Sequence, residues 1–351
     1  IIKGGEIIMI NLYEWQKEAL RKMYKTGEKN FILSAPTGAG KTNVFLLFWK
    51  NVLRQRDYKM IITAPIKALS NQRYRELKNC FDVAIETGDI KKGMDKDWDV
   101  LVCTQEIYTN KYADMEKVFL VIDEFHYINE NQSRARTYID ALYRSKAEYI
   151  FICSATLGDL NVMKSYIEKV SNRNFKVLEY NSRPTELIYT NKGFKYAEIE
   201  NALVITFSFR NCIDICENII WERNMQPDKN IKEILKIARK LDIKNEDLLE
   251  YTKYGIAYYM GKMLPKEKLF IEKLFAKQLI DTVVGTDALS LGVNFPAKYV
   301  IFSQLDKYYE GLISKNLFEQ ISGRAGRKGY FDTGYVGILA DDSFESFNSW
   351  L

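Results

Sequence analysis

The stretch from Phe31 to Thr42, which reads Phe-Ile-Leu-Ser-Ala-Pro-Thr-Gly-Ala-Gly-Lys-Thr, constrains the fold more than any other. An apolar run suited to a buried strand meets a glycine-rich turn, and a helix-compatible run from Val44 to Leu53 follows. Gly38 and Gly40 let backbone N–H groups curl around phosphates, and the following helix adds its positive N-terminal end. This layout is typical of a phosphate-binding P-loop.

The side chains of this loop match the chemistry of a nucleoside triphosphate with magnesium. Lys41 can reach the β- and γ-phosphates, and the Thr42 hydroxyl can ligate Mg²⁺. One departure is Ala35, which stands where the general pattern has its first glycine. The loop therefore predicts an ATP and Mg²⁺ site without specifying the kind of NTPase. The residues predicted to line it are Thr37, Gly38, Ala39, Gly40, Lys41 and Thr42.

Length and composition bound the remaining possibilities. A chain of 351 residues predicts two domains, and a net charge of +5 from 51 basic and 46 acidic residues requires any nucleic-acid surface to be a local patch. One histidine and five cysteines without Cys-x-x-Cys spacing argue against a zinc site. Reduced thiols favour a cytoplasmic location. No apolar run approaches the ~20 residues of a membrane span.

Strand-like and helix-like runs alternate along the chain, which predicts mainly parallel sheets flanked by helices in an α/β fold. A break near residues 179–192 separates two such series. We therefore predict domains at 9–180 and 190–342, with ligands at the carboxyl ends of the strands. The predicted strands are Phe31–Ser34, Met60–Ala64, Val100–Thr104, Val118–Ile122 and Tyr149–Ser154, then Ala202–Phe207, Tyr254–Tyr259, Asp281–Gly285, Tyr299–Phe302 and Tyr335–Leu339.

Two acidic residues follow one of these strands. The apolar run from Val118 to Ile122 leads directly into Asp123 and Glu124. Downstream of a P-loop, this is the Walker B arrangement. We expect Asp123 to hold Mg²⁺ through water and Glu124 to orient and deprotonate the attacking water.

Near the carboxyl end, the stretch from Gln320 to Arg327 carries two arginines three residues apart. On a helix, Arg324 and Arg327 would share one face. Aimed across an interdomain cleft, they could neutralise charge on a transferring phosphoryl group as arginine fingers. Gly323 and Gly326 lower the helix propensity, which a purely structural helix would avoid.

Taken together, these stretches resemble the superfamily 2 DExH-box helicases, and within them the Ski-like branch that includes exosome-associated RNA helicases. Gln16 occupies the position of the adenine-reading glutamine. The matching motifs, in chain order, are Ala35–Thr42 (I), Ala64–Gln72 (Ia), Thr87–Asp89 (Ib), Thr104–Glu106 (Ic), Asp123–His126 (II), Ser154–Thr156 (III), Arg183–Thr185 at the domain junction, Val204–Ser208 (IV), Gly285–Ala297 (V) and Gln320–Gly329 (VI).

The resemblance implies two RecA-like domains with ATP and Mg²⁺ in the cleft between them and a nucleic-acid strand lying across both. It implies that Gln320, Arg324 and Arg327 act with Lys41 and Glu124 in hydrolysis, and that Asp287 and Gly292 also bind the nucleotide. The residues expected to hold the sugar-phosphate strand are Pro65, Lys67, Thr87, Gly88, Thr104, Phe207, Ser208, Gly261 and Thr286.

The family's function leaves alternatives open for this chain. A helicase or translocase acting on single-stranded RNA is favoured over one acting on DNA, through resemblance alone. An ATP-gated clamp that never separates strands would use the same motifs. An inactive, helicase-like interaction protein is disfavoured by intact Lys41, Asp123 and Glu124.

Three further expectations come from where the chain departs from the family pattern. Tyr258 and Tyr259 stand where the family has two histidines, so any imidazole role there is absent or taken by a tyrosine hydroxyl. The interval Leu305–Ile313 is either a strand-separating hairpin or an ordinary surface loop. No counterpart of the family's ratchet helix follows Ala340, so we expect poorly processive unwinding and a protein partner that supplies the missing surface.

Overall fold

The computed structural model describes residues 12–129, 132–155, 157–190, 193–227, 230–290, 295, 297–307, 311–326 and 330–340, together with the backbone of 2–3 and 6–7. The chain forms two compact units, Ile1–Arg183 and Pro184–Leu351. Each unit has its own sheet and its own hydrophobic core.

The first unit is built on an eight-stranded sheet in the order β10-β3-β9-β8-β4-β7-β5-β6. Every neighbouring pair is parallel except β5 with β6. A separate antiparallel pair, β1 with β2, precedes it. The strands are β1 Ile2–Lys3, β2 Glu6–Ile7, β3 Asn30–Ser34, β4 Lys59–Ala64, β5 Val83–Glu86, β6 Lys91–Lys92, β7 Val100–Thr104, β8 Val118–Ile122, β9 Tyr149–Ser154 and β10 Lys176–Glu179.

Helices connect these strands, and local signals fix several of their ends. Gly27, at φ 66°, ends the first helix in the left-handed conformation that glycine adopts without strain. The Asp159 side chain accepts hydrogen bonds from the N–H groups of Asn161 and Val162 and so caps the sixth. The helices are α1 Glu14–Thr26, α2 Lys41–Phe48 (continued by a π-helical turn, Trp49–Leu53), α3 Lys67–Leu77, α4 Gln105–Ile107, α5 Gln132–Arg144 and α6 Leu160–Ser171.

The core of the first unit lies between the sheet and its helices and is rich in aromatic rings. Strands β7 and β8 are buried along their whole length, as expected for central parallel strands covered on both faces. Phe48 packs edge-on against Phe31 and Phe119, each at a centroid distance of 5.9 Å. This packing fixes α2, and with it the loop that precedes α2.

The second unit has a six-stranded, wholly parallel sheet in the order β11-β18-β15-β12-β14-β13. Its strands are β11 Glu186–Tyr189, β12 Ala202–Ile205, β13 Ile256–Tyr259, β14 Thr282–Gly285, β15 Tyr299–Phe302 and β18 Thr333–Ile338; β16 Asp306–Lys307 and β17 Gly311–Leu312 form a separate antiparallel pair. Its helices are α7 Phe209–Glu222, α8 Ile231–Lys240, α9 Glu246–Lys253, α10 Pro265–Ala276 and α11 Lys315–Ser322.

The prediction of mainly parallel α/β sheets is confirmed, and all ten predicted strands are present within two residues of their bounds. Among strands longer than two residues, the sequence patterns missed β5, β10 and β11. All three are four-residue strands, and β10 and β11 are edge strands with exposed positions, so their apolar signal is weak. The interval Leu305–Ile313 contains the antiparallel strand pair β16 with β17. Its strand-separating role stays a prediction.

Candidate nucleotide site and nucleic-acid edges

The P-loop joins the end of β3 to the start of α2. Gly38 and Gly40 have φ values of 76° and 86°, so both adopt the left-handed conformation that the tight turn requires. The Lys41 ammonium donates hydrogen bonds to the carbonyl oxygens of Ala35, at 2.8 Å, and Pro36, at 3.2 Å. The lysine is therefore folded over its own loop, close to where phosphates would lie. Thr37, Ala39 and Thr42 belong to the same turn and the first residues of α2.

Gln16 lies directly behind this loop. Its side-chain oxygen accepts a hydrogen bond from the Tyr13 N–H at 2.9 Å, and its side-chain nitrogen donates to the Gly40 carbonyl at 2.9 Å. The residue is fully buried, and a Cβ at position 40 would lie 2.7 Å from its nitrogen. The structure thus brings Gln16 to the P-loop backbone, where it ties α1 to the phosphate-binding turn.

Asp123 and Glu124 follow β8, as predicted. Asp123 is only 7% exposed, and its N–H donates to the Thr63 carbonyl of the neighbouring strand β4 at 3.1 Å. Glu124 has a φ of 53°, which is uncommon for a residue with a side chain. Glu124 lies 3.5 Å from the Nδ1 atom of His126. The acidic pair thus combines a buried carboxylate with a more accessible one.

Arg73 completes this cluster, and no sequence motif had singled it out. It lies on α3, and its guanidinium donates to the Thr42 hydroxyl at 2.9 Å and to the Asp123 carboxylate at 2.6 Å. A third hydrogen bond reaches Glu76 on its own helix at 2.9 Å. The motif Ia match ends at Gln72, one residue before this arginine.

These contacts set the charge of the site. Burial raises the pKa of Asp123, but the charge of Arg73 and hydrogen bonds from Arg73 and Cys153 outweigh it, so the pKa lies below its usual value. Burial, reinforced by Asp123, raises the pKa of the Cys153 thiol, which donates to Asp123 at 3.1 Å. Burial also lowers the pKa of His126, whose Nδ1 atom lies 3.0 Å from the Ser154 hydroxyl. Asp123 is therefore ionised and His126 neutral near pH 7.

The donors present fit Mg²⁺ with a nucleotide. Thr42 and Asp123 offer oxygen atoms, which Mg²⁺ prefers, and Mg²⁺ takes its other ligands from water and phosphates. One guanidinium contacts both oxygens, so they face the same space. Among the described residues, no group of three or more His, Cys, Asp or Glu side chains is placed to hold a metal ion. The protein's share of such a site is therefore small.

The predicted nucleic-acid residues of the first unit lie beyond the carboxyl ends of three adjacent strands, β4, β7 and β5. The Lys67 ammonium pairs with Asp89 at 2.6 Å, and a Cβ at Gly88 would lie 3.3 Å from it. The Thr87 hydroxyl accepts from the Ile90 N–H at 3.2 Å and shapes this turn. Lys67 of motif Ia therefore contacts the turn of motif Ib. Pro65 and Thr104 are buried beside them; the Pro65 carbonyl accepts a hydrogen bond from Arg134.

In the second unit, the predicted residues follow the adjacent strands β12, β14 and β13. The Ser208 hydroxyl caps α7 by accepting from the Asn211 N–H at 3.1 Å, and Thr286 donates its N–H to the Tyr259 carbonyl at 3.2 Å. The Gly261 carbonyl accepts from Lys268 at 2.6 Å, and Lys307 lies over the Phe207 ring at 5.8 Å. These residues share one edge of the sheet.

The tyrosines that replace the family's histidines lie inside the second unit. Tyr258 is 3% exposed, and its hydroxyl donates to the Asn245 side chain at 3.1 Å. Tyr259 is 4% exposed and packs edge-on against Phe295 at 5.4 Å. Both rings are therefore packed inside the unit, and the two alternatives for the imidazole role stay predictions.

Arg324 does not lie on a helix. Helix α11 carries Gln320 but ends at Ser322, and Ala325 forms a parallel bridge with Ala297. Gly326, at φ 71°, packs so closely that a Cβ there would lie 2.7 Å from the Gly334 nitrogen. The glycines end the helix because an extended segment must pass this close. Arg324 is thus presented from a turn.

Other predicted positions vary in how they are placed. Asp287 opens a short helical turn, and its carboxylate pairs with Lys307 at 3.0 Å. At the domain junction, the Thr185 hydroxyl donates to the Gly326 carbonyl at 3.3 Å, which links the junction signature to motif VI. Thr156, Gly292 and Arg327 lie outside the described residues.

Comparison with known proteins agrees with this geometry. Residues 13–164 match the family model of the DEAD/DEAH box helicases, and residues 212–329 match that of the helicase conserved C-terminal domain. The chain belongs to the superfamily 2 helicases. The fold prediction of two RecA-like domains is confirmed for this helicase core, and ATP with Mg²⁺ is the cofactor pair of its family.

Curated relatives of this helicase core include both RNA and DNA helicases. It is 27% identical to the exosome RNA helicase MTR4 of Mus musculus, over 93% of this chain and 38% of that protein. It is 26% identical to the ATP-dependent RNA helicase mtr4 of Schizosaccharomyces pombe, over 91% and 36%. It is 25% identical to the ATP-dependent DNA helicase Hel308 of Thermoplasma volcanium, over 96% and 53%. The chain thus spans about half the length of these relatives or less.

Within the described part of this helicase core, none of the helices has the length and apolar character needed to cross a membrane.

Proposed function

We propose that this chain hydrolyses ATP with Mg²⁺ and couples hydrolysis to movement along a single nucleic-acid strand and to duplex unwinding. The observation that carries the proposal is the convergence at one sheet edge of Lys41, Thr42 and Asp123, with Glu124 beside them. The Thr42 hydroxyl and the Asp123 carboxylate accept hydrogen bonds from one guanidinium, at 2.9 and 2.6 Å. A phosphate-binding turn followed by a pair of acidic residues favours phosphoryl transfer to water.

Each group of the first unit has a distinct task in this proposal. The turn around Gly38 and Gly40 binds the phosphates, and Lys41 leaves its loop carbonyls to bind the β- and γ-phosphates. Thr42 and Asp123 would hold Mg²⁺, which would offset phosphate charge when bound. Glu124, which follows strand β8 directly, accepts the proton of the attacking water. Neutral His126 and Ser154 support its position.

The second unit contributes the remaining catalytic groups in this proposal. Gln320, Arg324 and Arg327 stabilise the charge that develops on the γ-phosphoryl group, and Asp287 and Gly292 contact the nucleotide. Arginines in this role supply a large part of the rate in other phosphoryl-transfer enzymes. The proposal makes hydrolysis dependent on both units.

The nucleic-acid strand is proposed to follow the carboxyl edges of the two sheets. The exposed Lys67 ammonium can exchange Asp89 for a phosphate, and the turn at Thr87 and Gly88 offers backbone groups. Contacts of this kind position a strand without reading its sequence. We propose RNA as the preferred strand because two of the three relatives above are RNA helicases. The Hel308 relative makes DNA the second candidate.

The deciding experiment measures steady-state ATP hydrolysis with no nucleic acid, with single-stranded RNA, and with single-stranded DNA of matched length and sequence. We expect stimulation by both strands and stronger stimulation by RNA. Equal or stronger stimulation by DNA would reverse the assignment of the strand. A strand-displacement assay on the same substrates then separates unwinding from clamping, because a clamp would hydrolyse ATP and leave the duplex intact.

The proposal also includes a protein partner that adds nucleic-acid contacts and a cytoplasmic location. The five cysteines are free thiols, as a reducing compartment requires. The partner is tested by single-turnover unwinding of duplexes of increasing length. Unaided separation of long duplexes would show that no partner is required.

A further inference from the structure

Arg73 occupies the position that connects the P-loop to the Walker B carboxylate. Its side chain is 19% exposed, and its guanidinium spans the Thr42 hydroxyl and the Asp123 carboxylate. These two oxygens are the protein's candidate ligands for Mg²⁺. An arginine cannot lose its charge under these conditions. The positive charge of Arg73 is therefore always present beside Thr42 and Asp123.

A guanidinium and a divalent cation cannot use these two oxygens at once. Mg²⁺ binds at 2.0–2.1 Å and keeps an octahedral shell of water and phosphate oxygens around it, which fills the space next to each ligand. Two cations this close in a partly buried site also repel each other strongly. Binding of Mg²⁺ at Thr42 and Asp123 therefore requires the guanidinium to leave at least one of them.

Arg73 has a second carboxylate partner on its own helix. Glu76, one turn further along α3, already accepts a hydrogen bond from the same guanidinium at 2.9 Å and is more exposed than Asp123. A rotation of the long side chain toward Glu76 would keep the arginine paired while freeing Thr42 and Asp123. Arg73 thus lies between two carboxylates, Asp123 and Glu76, and can pair with either.

We propose that Arg73 is a positioning residue that exchanges with Mg²⁺: it neutralises Asp123 when no metal is bound and moves to Glu76 when a magnesium nucleotide enters. The inference rests on the proposed nucleotide site but not on any nucleic-acid activity. Its consequence is a site whose affinity for free Mg²⁺ is kept low, so that metal enters with the nucleotide rather than before it.

Thermal unfolding with MgCl₂ alone tests the exchange without turnover. For the wild-type chain we expect little change in the melting temperature, because Arg73 holds both oxygens. For Arg73→Gln we expect the melting temperature to rise with MgCl₂, because Asp123 is left without its cation. The matched control is Lys78→Gln, which removes one positive charge from the end of the same helix. Equal stabilisation of the wild type and Arg73→Gln by MgCl₂ would overturn the proposal.

Binding of a fluorescent ADP analogue across a MgCl₂ series gives the second readout. Arg73→Gln should lower the Mg²⁺ concentration for half-maximal binding by roughly tenfold, the equivalent of one hydrogen bond to a charged group. In EDTA the same variant should bind the analogue more weakly than the wild type, because Asp123 repels the phosphates. Loss of binding at saturating Mg²⁺ would instead show that Arg73 is a phosphate ligand and does not exchange.

Arg73→Lys is a second variant that keeps the proposal testable if Arg73→Gln fails to fold. It keeps the charge but cannot donate to both oxygens in the fixed geometry of a guanidinium, so we expect an intermediate shift in the half-maximal Mg²⁺ concentration. A wild-type chain that binds no ADP analogue at any Mg²⁺ concentration would contradict the proposed function. The melting experiment with metal alone would still decide whether Arg73 and Mg²⁺ compete.

Discussion

At the carboxyl edge of the first sheet, charged side chains bind one another in a partly buried cluster that joins Arg73, Thr42 and Asp123. At the matching edge of the second sheet, the Ser208 hydroxyl caps a helix and the Thr286 N–H donates to a backbone carbonyl, while the ion pair of Asp287 with Lys307 is partly exposed. Both units are parallel α/β structures with ligand-facing strand ends. The difference teaches that the shared architecture supplies the position, while a few side chains give each edge its own chemistry.

The largest expected effect tests whether the second unit is catalytically passive. Arg327→Ala should lower the ATP hydrolysis rate by on the order of 10³-fold or more, as loss of an arginine finger does. Binding of the ADP analogue should change little, since the proposed role is confined to the transition state. The measurement is steady-state hydrolysis at saturating nucleic acid. A wild-type rate in this variant would assign all the chemistry to the first unit.

Glu124→Gln tests whether the first unit supplies the proton acceptor. The amide keeps the shape of the side chain but cannot accept the proton of water, so turnover should fall by about 10²- to 10⁴-fold. Nucleotide affinity should be retained, which equilibrium binding checks. If hydrolysis persists near the wild-type rate, the base is not at this edge.

A smaller effect is expected at the nucleic-acid edge of the first unit. Lys67→Gln should weaken single-strand binding irrespective of sequence and reduce the slope of log affinity against log salt by about 0.7, the loss of one phosphate contact. The control is Lys59→Gln, which removes a lysine from the opposite end of strand β4, where it pairs with Asp97. An equal loss in both variants would show that net charge, rather than this edge, attracts the strand.

The smallest effect concerns stability and pH. Burial lowers the pKa of His126, so the unfolded chain binds its proton more readily than the folded chain. This contribution to stability is fully present above about pH 6.5, the pKa of an unfolded histidine, and is lost as the pH falls. Urea unfolding at pH 5.5 and 7.5 should show this loss in the wild type and less of it in His126→Asn. The same pH dependence in the wild type and in His126→Asn would show that His126 does not cause the loss of stability.

The sheets, the P-loop and the acidic pair could be predicted because each leaves a pattern among residues that are close in sequence. Long apolar runs indicate the strands, and the glycine spacing indicates the loop. Short edge strands such as β10 were missed because few of their residues are buried. Arg73 was missed because its partners lie 31 and 50 residues away, and only the packing of α3 brings them together. The close approach of Gly326 to Gly334 could not be predicted either, because it depends on how the segment after α11 packs against β18.

The left-handed backbone of Glu124 has a consequence for engineering the protein. A residue with a side chain at φ 53° costs about 1–2 kcal/mol relative to glycine, which adopts this conformation freely. A search for stabilising substitutions would therefore favour Glu124→Gly, a change that removes the proposed proton acceptor. At this position, selection for thermostability and selection for turnover oppose each other, and variants chosen for a higher melting temperature should be screened for hydrolysis before they are combined.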